Sequence, residues 1–198
     1  MREVVIVSDY FASDFVGGAE LTTEALLDAS PFKITRLKAI EANREIVEHH
    51  ANKFWIFGNY SEFKYSLLPM VASLLDYAVL EYDYKFCIHR SMELHSVKEL
   101  RECDCHKYFG QDIANFMFHS KAIFWMSEKQ RNIYFEKFPY LRETDNEVLS
   151  SVFSKEDLAQ LRNARNASQS RKGWGYLQNG SWIKGIEETK AYCKENEI

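Results

Sequence analysis

The chain has 198 residues, of which 46% are hydrophobic and 15% aromatic, enough for one ordinary domain with a sizeable core, or for one domain plus a fragment of a second. The formal net charge of −4 argues against a nucleic-acid-binding surface, which is normally basic. No apolar run approaches the roughly 18 residues that a membrane-spanning helix needs. The 4 cysteines are too few and too unevenly spaced for a disulfide framework, so we expect a reducing, cytoplasmic location.

The first predicted element is a strand that leads into a glycine pair and a helix. Residues 4–7 form a continuous β-branched run, typical of a strand buried on both faces. A loop then closes on Gly17 and Gly18, and a helical pattern continues until Pro31 ends it. Such a helix N-terminus offers free backbone N–H groups to a phosphate, although a bare glycine pair is more often an ordinary tight turn. Neither G-x-G-x-x-G nor G-x-x-x-x-G-K-[ST] is present, which argues against a dinucleotide fingerprint and a P-loop.

The rest of the chain continues the alternation of strand and helix. Further strands are predicted at residues 32–39, 54–57, 77–86, 121–126 and 147–152. Helices are predicted within residues 40–50, 65–75, 111–119, 128–137 and 154–165. This alternation predicts an α/β fold, a Rossmann-like three-layer domain with a mostly parallel sheet and helices on both faces.

The domain organisation follows from one change in composition. Residues 1–165 make up the predicted domain, and the small polar stretch 166–172 resembles a linker. Residues 173–198 form one further strand–helix unit, with the strand at 173–177. This unit either begins a second domain or packs on the first.

The strand at 77–86 changes character along its length. Its first half is apolar without a break, whereas its second half alternates, so that Glu81, Asp83 and Lys85 share one face. Charges that appear where a buried strand ends are typical of a site at the carboxyl edge of an α/β sheet. A strand that simply runs out into solvent would show the same pattern.

The stretch 87–106 is rich in cysteine and histidine. It contains Cys87, His89, Cys103, Cys105 and His106, side chains that could serve as zinc ligands. The spacings are C-x-H and C-x-C-H, however, and not the C-x-x-C of structural zinc sites. We therefore treat a zinc-containing domain as a minor alternative, expect no metal or other cofactor, and regard buried thiols as the simpler explanation.

Several short stretches together resemble the acceptor-side, N-terminal domain of GT-B glycosyltransferases of the retaining type. They occur in the order in which that family has them, and the order is more specific than any one motif. The stretches are Gly17-Gly18-Ala19-Glu20, EYDYK at 81–85, FHSKAIFWMSEKQ at 118–130, VLSSVF at 148–153, and KGWGYL with WIKGI at 172–177 and 182–186.

The resemblance implies transfer of a sugar from a nucleotide-sugar donor to an unknown acceptor. Gly17 and Gly18 would approach the donor diphosphate. Asp83 would bind acceptor hydroxyls or orient the reacting sugar, and Lys85 would pair with Asp83 or with phosphate; these two are the candidate catalytic residues.

Two further positions have both a family role and a simpler one. By resemblance Ser127 and Gln130 would line the acceptor side. Their spacing also matches a capping box, which by itself predicts a helix beginning at about residue 128.

The chain departs from the family because most of a second, donor-binding domain is missing from the sequence. We therefore expect a separate donor domain or a second copy of the chain as partner. The main alternative is a non-catalytic Rossmann-like module that binds a sugar or nucleotide. A flavodoxin-like receiver ranks lowest, because Asp9 lacks the acidic neighbours that such a domain needs.

Overall fold

The structure, a computed structural model, describes residues 3–166 and 186–196. Its centre is one sheet in which every adjacent pair of strands is parallel, in the order β2-β1-β3-β4-β5-β6. The strands are β1 (Glu3–Ser8), β2 (Lys33–Lys38), β3 (Phe54–Phe57), β4 (Asp76–Glu81), β5 (Ala122–Trp125) and β6 (Asn146–Val148).

Helices alternate with the strands along the chain, and in the described part of the chain two further helices follow the last strand. They are α1 (Gly18–Ala29), α2 (Arg44–His49), α3 (Leu68–Leu74), α4 (Met92–Glu99), α5 (Phe109–Phe118), α6 (Glu128–Lys137), α7 (Lys155–Asn166) and α8 (Ile186–Glu195). Short 3-10 helices lie at Ala39–Glu41, Tyr65–Leu67, Cys105–Lys107 and Pro139–Glu143. The predicted Rossmann-like α/β fold is confirmed.

One face of the sheet forms the main core. Successive side chains of a strand point to opposite faces, so alternate residues of β1, β3, β4 and β5 pack together on this face. They meet side chains of α2, α3, α5 and α6, and aromatic rings fill much of the space: Phe57 lies 5.1 Å from Phe116 and 5.7 Å from Tyr77, centroid to centroid. This packing fixes the positions of these four strands relative to one another.

The opposite face contacts α1. Here Leu26 and Leu27 of α1 line an apolar cavity of about 440 Å³ together with strand residues such as Ile6, Ile56 and Leu80. A bidentate ion pair from Arg36 of β2 to Glu24 of α1 joins the helix to the sheet edge. Helices therefore lie on both faces, as predicted.

The predicted strand at 77–86 is too long. β4 ends at Glu81, because the backbone N–H of Lys85 folds back to donate to the Glu81 carboxylate at 3.0 Å. The alternation of charges beyond that point belongs to a loop and does not come from strand geometry. The stretch after residue 88, in which no helix is predicted, contains α4, and β6 is shorter than the predicted strand at 147–152.

The chain divides into two compact units, Met1–Asp157 and Leu158–Ile198. The predicted linker at 166–172, apart from the end of α7, and the predicted strand at 173–177 lie outside the described residues. Within the described ranges, no helix is both long and apolar enough to cross a membrane.

Candidate functional site

The order of the strands identifies a switch point at the carboxyl edge of the sheet. From β1 the chain crosses to β2 on one side, then returns past β1 to β3 on the other. In open α/β sheets, ligands bind in the crevice outside the carboxyl ends of the strands at such a point. Asp9 follows β1, Asn59 follows β3 and Asp83 follows β4, so these polar side chains lie at this edge.

Asp9 ties together the loops after β1 and β3. Its carboxylate accepts hydrogen bonds from the backbone N–H groups of Ser61 at 3.0 Å and Glu62 at 2.9 Å. Its own N–H donates to the carbonyl of Asn59. The side chain is buried, and this burial raises its pKa despite the two backbone hydrogen bonds. Asp9 therefore has a structural role at the edge.

Arg90 joins the loops after β3 and β4. Its guanidinium donates from Nε to Asp83 Oδ2 at 2.6 Å and from Nη2 to Asn59 Oδ1 at 2.6 Å. The Arg90 backbone has a φ of 57°, a left-handed conformation that is uncommon for a residue with a side chain. A hydrogen bond of 2.8 Å from its N–H to the carbonyl of Cys87 holds that conformation. Sequence reasoning missed Arg90, because only the turn after β4 brings it back to Asp83, seven residues earlier, and because Asn59 lies 31 residues away in the chain.

Glu81 and Lys85 form a buried pair beneath this edge. The Lys85 ammonium lies 3.6 Å from Glu81 Oε2, 3.2 Å from Asp83 Oδ1 and 5.0 Å from the centre of the Tyr60 ring. Tyr134 donates to Glu81 Oε1 at 2.8 Å. Burial raises the pKa of Glu81 to about 7, although the Lys85 ammonium acts in the opposite direction. Both side chains are at most 1% exposed. The contact of Lys85 with Asp83 is one of the two pairings predicted for Lys85; the other is with phosphate.

Ser127 and Gln130 are both used inside the fold. The Ser127 hydroxyl accepts from the backbone N–H of Gln130 at 3.1 Å and caps α6, as predicted. The Gln130 side chain accepts from the N–H of Met126 at 2.8 Å and donates to the carbonyl of Asp83 at 2.8 Å. Gln130 therefore connects the loops after β4 and β5, and its amide is already engaged at both ends.

A crevice opens beside the ends of β1, β2 and β3 and the N-terminus of α1. We call it the edge crevice; its volume is about 610 Å³, and it is lined by Tyr10, Asp14, Phe15, Glu20, Lys38 and Asn59. The Lys38 ammonium lies 2.7 Å from Asp14 Oδ1, so its charge is already paired. The Tyr10 and Phe15 rings lie 6.4 Å apart. The lining thus offers aromatic surface, carboxylates and one amide.

The two glycines at the start of α1 have different surroundings. A Cβ on Gly17 would lie 2.5 Å from Glu20 Oε2 and 2.9 Å from the Phe15 ring, whereas nothing lies within 4 Å of a Cβ on Gly18. The Glu20 carboxylate beside Gly17 repels an anion, whereas the space beside Gly18 is open. An anion would therefore approach this helix terminus on the Gly18 side.

A second group of side chains lies in the stretch 87–105. Cys87, His95, Cys103 and Cys105 each offer one ligand atom, and these four atoms all lie within 4.8 Å of one another. We call this group the thiol–imidazole cluster. Nδ1 of His95 lies 3.6 Å from the sulfur of Cys87 and 3.6 Å from that of Cys105. Burial raises the pKa of Cys103 to about 12 and also raises that of Cys87.

Helix α4 brings the histidine to the thiols. Ser91 caps the helix by accepting from the N–H of Leu94 at 3.1 Å, and His95 is the buried residue of α4. A helix of mostly exposed polar residues thus buries an imidazole where an apolar side chain would be expected.

The predicted zinc ligands are therefore brought together only in part. His89 pairs with Glu99 at 2.8 Å, and His106 lies near the Phe138 ring, so neither joins the cluster. His95 takes their place. The signal that could have found it is its spacing, since seven residues separate His95 from Cys87 and seven separate it from Cys103.

No protein-family model matches the sequence, and no curated protein matches it significantly. The proposed function therefore rests on the geometry of the site.

Proposed function

We propose that this chain acts as the acceptor-side half of a GT-B-type glycosyltransferase and binds a carbohydrate acceptor in the edge crevice. The observation that supports this proposal is the place and lining of the crevice, which lies at the switch point of a parallel sheet and combines aromatic rings with carboxylates. The resemblance of the short motifs to that family supports the same assignment.

The charges of the crevice favour a neutral, hydroxyl-rich ligand. Its carboxylates come from Asp14 and Glu20, and its ammonium, from Lys38, is paired with Asp14. A phosphate would meet net repulsion here, whereas sugar hydroxyls donate to carboxylates and to the Asn59 oxygen. The apolar face of a sugar ring packs on an aromatic side chain such as Phe15, which is 50% exposed.

The donor would approach at the start of α1. In the reaction, the acceptor hydroxyl attacks the anomeric carbon, the bond from that carbon to the diphosphate oxygen breaks, the hydroxyl proton passes to a base, and the nucleoside diphosphate leaves. Gly18 does not line the edge crevice, and its open side leaves room for the leaving phosphate near the backbone N–H groups of the first turn.

Asp83 and Lys85 would act on the bound acceptor only indirectly. The buried Lys85 ammonium pairs with Asp83, and the Asp83 carboxylate accepts a hydrogen bond from the Arg90 guanidinium. They are positioning residues that hold Arg90, and Arg90 in turn holds Asn59 at the crevice.

The test is a calorimetric titration of the purified chain with neutral glycosides and, separately, with UDP, GDP, ADP and their sugar conjugates. We expect saturable binding of a glycoside, and we expect Phe15→Ala to weaken it. Phe153→Ala is the matched control, because Phe153 is also 50% exposed but does not line the crevice. Glycoside binding that is absent, or equal in Phe15→Ala and the wild type, would refute the assignment.

The second candidate is a non-catalytic carbohydrate-binding module. It is favoured by the engagement of Lys85 and Gln130 in internal contacts, which leaves these polar groups unavailable to a substrate. A sugar-transfer assay with nucleotide-sugar donors separates the two functions. Glycoside binding without any transfer, in the presence of candidate donor domains, would favour the module.

A further inference from the structure

We infer that Cys87, His95, Cys103 and Cys105 bind one Zn²⁺ ion at a closed, tetrahedral, structural site. This inference does not depend on the proposed function, because it rests on the thiol–imidazole cluster alone. The cluster lies within the unit Met1–Asp157, and its three sulfurs and one nitrogen converge from the loop after β4, from α4 and from the segment 103–105.

The distances match tetrahedral coordination. Zinc–sulfur bonds of about 2.3 Å and zinc–nitrogen bonds of about 2.05 Å, at tetrahedral angles, place nitrogen and sulfur ligands about 3.6 Å apart. His95 Nδ1 lies 3.6 Å from the sulfurs of both Cys87 and Cys105. The whole group fits within 4.8 Å, so a single ion can reach all four atoms.

Hydrogen bonding is the competing explanation, because the Cys87 thiol also lies 3.4 Å from the carbonyl oxygen of Ser91 and can donate there while Cys105 donates to Nδ1 of His95. A neutral imidazole nitrogen has one lone pair, so Nδ1 can accept a proton from only one of the two equidistant thiols. The other ring nitrogen, Nε2 of His95, is buried without a hydrogen-bond partner among the described residues. A metal ion on Nδ1 would contact both sulfurs at once, which accounts for their equal distances from this nitrogen. Nε2 carries the ring proton in either arrangement.

The donor set selects the metal and its role. Three thiolates and one imidazole are soft or borderline ligands, which favour zinc over magnesium or calcium. Four protein ligands complete a tetrahedron and leave no open position for water or substrate, as in structural zinc sites. The Cys103-x-Cys105 spacing is shorter than usual, and the pair is completed by Cys87 and His95 from the preceding segment.

The ion would fix the loop that carries Arg90. The N–H of Arg90 donates to the carbonyl of Cys87 at 2.8 Å, and the N–H of Cys87 donates to the carbonyl of Tyr84 at 2.8 Å. Anchoring the sulfur of Cys87 to α4 and to the segment of Cys103 therefore closes the loop between Tyr84 and Arg90. The metal site in this way stabilises the left-handed backbone of Arg90.

The first experiment measures metal content and thiol protection in the full chain. We expect native mass spectrometry to find about one zinc ion per chain, and iodoacetamide to modify Cys193 while three thiols stay protected until a chelator is added. Cobalt substitution should give the thiolate-to-metal charge-transfer band of a tetrahedral site. Because these readouts use the wild-type chain, they do not depend on whether a variant folds.

Variants then identify the ligands. Cys103→Ser and His95→Ala should lose the stoichiometric zinc, whereas Cys193→Ser, which removes the cysteine outside the cluster, should keep it. A folded wild-type chain that takes up no zinc when zinc is added would overturn the inference. So would equal alkylation of all the cysteines with zinc present, or full zinc retention in both ligand variants. None of these results depends on glycoside binding, so the two proposals fail separately.

Discussion

The guanidinium of Arg90 donates to the side-chain oxygen of Asn59 at 2.6 Å, and this contact joins the loop after β4 to the edge crevice. Arg90→Lys should lower glycoside affinity by roughly tenfold, because one ammonium cannot reproduce the planar contact to both Asn59 and Asp83. Calorimetric titration with the glycoside measures the effect.

The control for this change is Arg36→Lys. Arg36 makes two contacts to the carboxylate of Glu24 and is about as exposed as Arg90, but its partner does not line the crevice, whereas Asn59 does. Its affinity for the glycoside should equal that of the wild type. Equal losses in both variants would mean that Arg90 has no special connection to the crevice.

Asp83→Asn should cost stability as well as function. The Asp83 carboxylate forms ion pairs with Lys85, whose side chain is 1% exposed, and with Arg90. The amide of asparagine cannot neutralise either cation. We expect a loss of about 1–3 kcal/mol in the free energy of unfolding, measured by urea denaturation, together with weaker glycoside binding. In the control Asp76→Asn, the lost pair with Lys121 is exposed and should cost less than about 1 kcal/mol. An Asp83→Asn variant of wild-type stability would contradict the role assigned to this pair.

The fold could be predicted from the sequence because its signals are local. The apolar run at residues 54–57 gives β3 with the same bounds, and the capping residues Ser127 and Gln130 mark the start of α6 correctly. In contrast, the end of β4 depends on Lys85 folding back to the Glu81 carboxylate. That contact follows from the loop beyond the strand, and hydrophobic periodicity does not report it.

The sites were less predictable because they combine residues from different segments. Asp83 and Lys85 were singled out by their charge, but their partner Arg90 is identified only by the turn that brings it back. The thiols of the thiol–imidazole cluster were visible in the sequence, whereas His95 required knowledge of α4. The face of a short polar helix cannot be read from hydrophobicity when its buried residue is a histidine.

Gly18→Val tests whether a nucleotide-sugar donor approaches the start of α1. A side chain at this position has open space, so the variant should fold normally. The added methyl groups would nevertheless keep a phosphate away from the first-turn N–H groups, so the affinity for the nucleotide sugar should fall by roughly tenfold or more. Isothermal titration with the donor measures this, with Gly18→Ala expected to show a smaller loss. Unchanged donor affinity in Gly18→Val would remove Gly18 from the proposed site.

Two glycine-to-alanine changes should have opposite effects on stability. Gly18→Ala adds a methyl group in open space and should raise the free energy of unfolding by about 0.5–1 kcal/mol, since alanine restricts the unfolded chain. Gly110→Ala should lower it by about 1–3 kcal/mol, because its Cβ would lie 2.9 Å from the Cys105 carbonyl oxygen and 3.0 Å from that of Phe86. Urea denaturation of both variants provides the comparison. Stabilisation by Gly110→Ala would show that α5 can move away from these carbonyls.

Ionisation of the buried Glu81 carboxyl should lower the free energy of unfolding as the pH rises through the weakly acidic range. Its pKa is 4.5 in an unfolded chain and about 7 in the folded protein, because burial outweighs the contact with Lys85. Between these values the folded chain binds more protons at this carboxyl than the unfolded chain. The free energy of unfolding should therefore fall from about pH 4.5 to about pH 7, by at most about 3 kcal/mol.

Glu81→Gln should flatten this fall in stability, because an amide of the same shape does not titrate. Urea denaturation at several pH values between 4.5 and 7 gives the slope for each variant. Some slope should persist, since burial also raises the pKa of Asp9 and acts in the same direction. Glu136→Gln is the control, because Glu136 is exposed on α6, and its slope should match that of the wild type. If Glu81→Gln keeps the full wild-type slope, the protons are taken up elsewhere and Glu81 is ionised across this range.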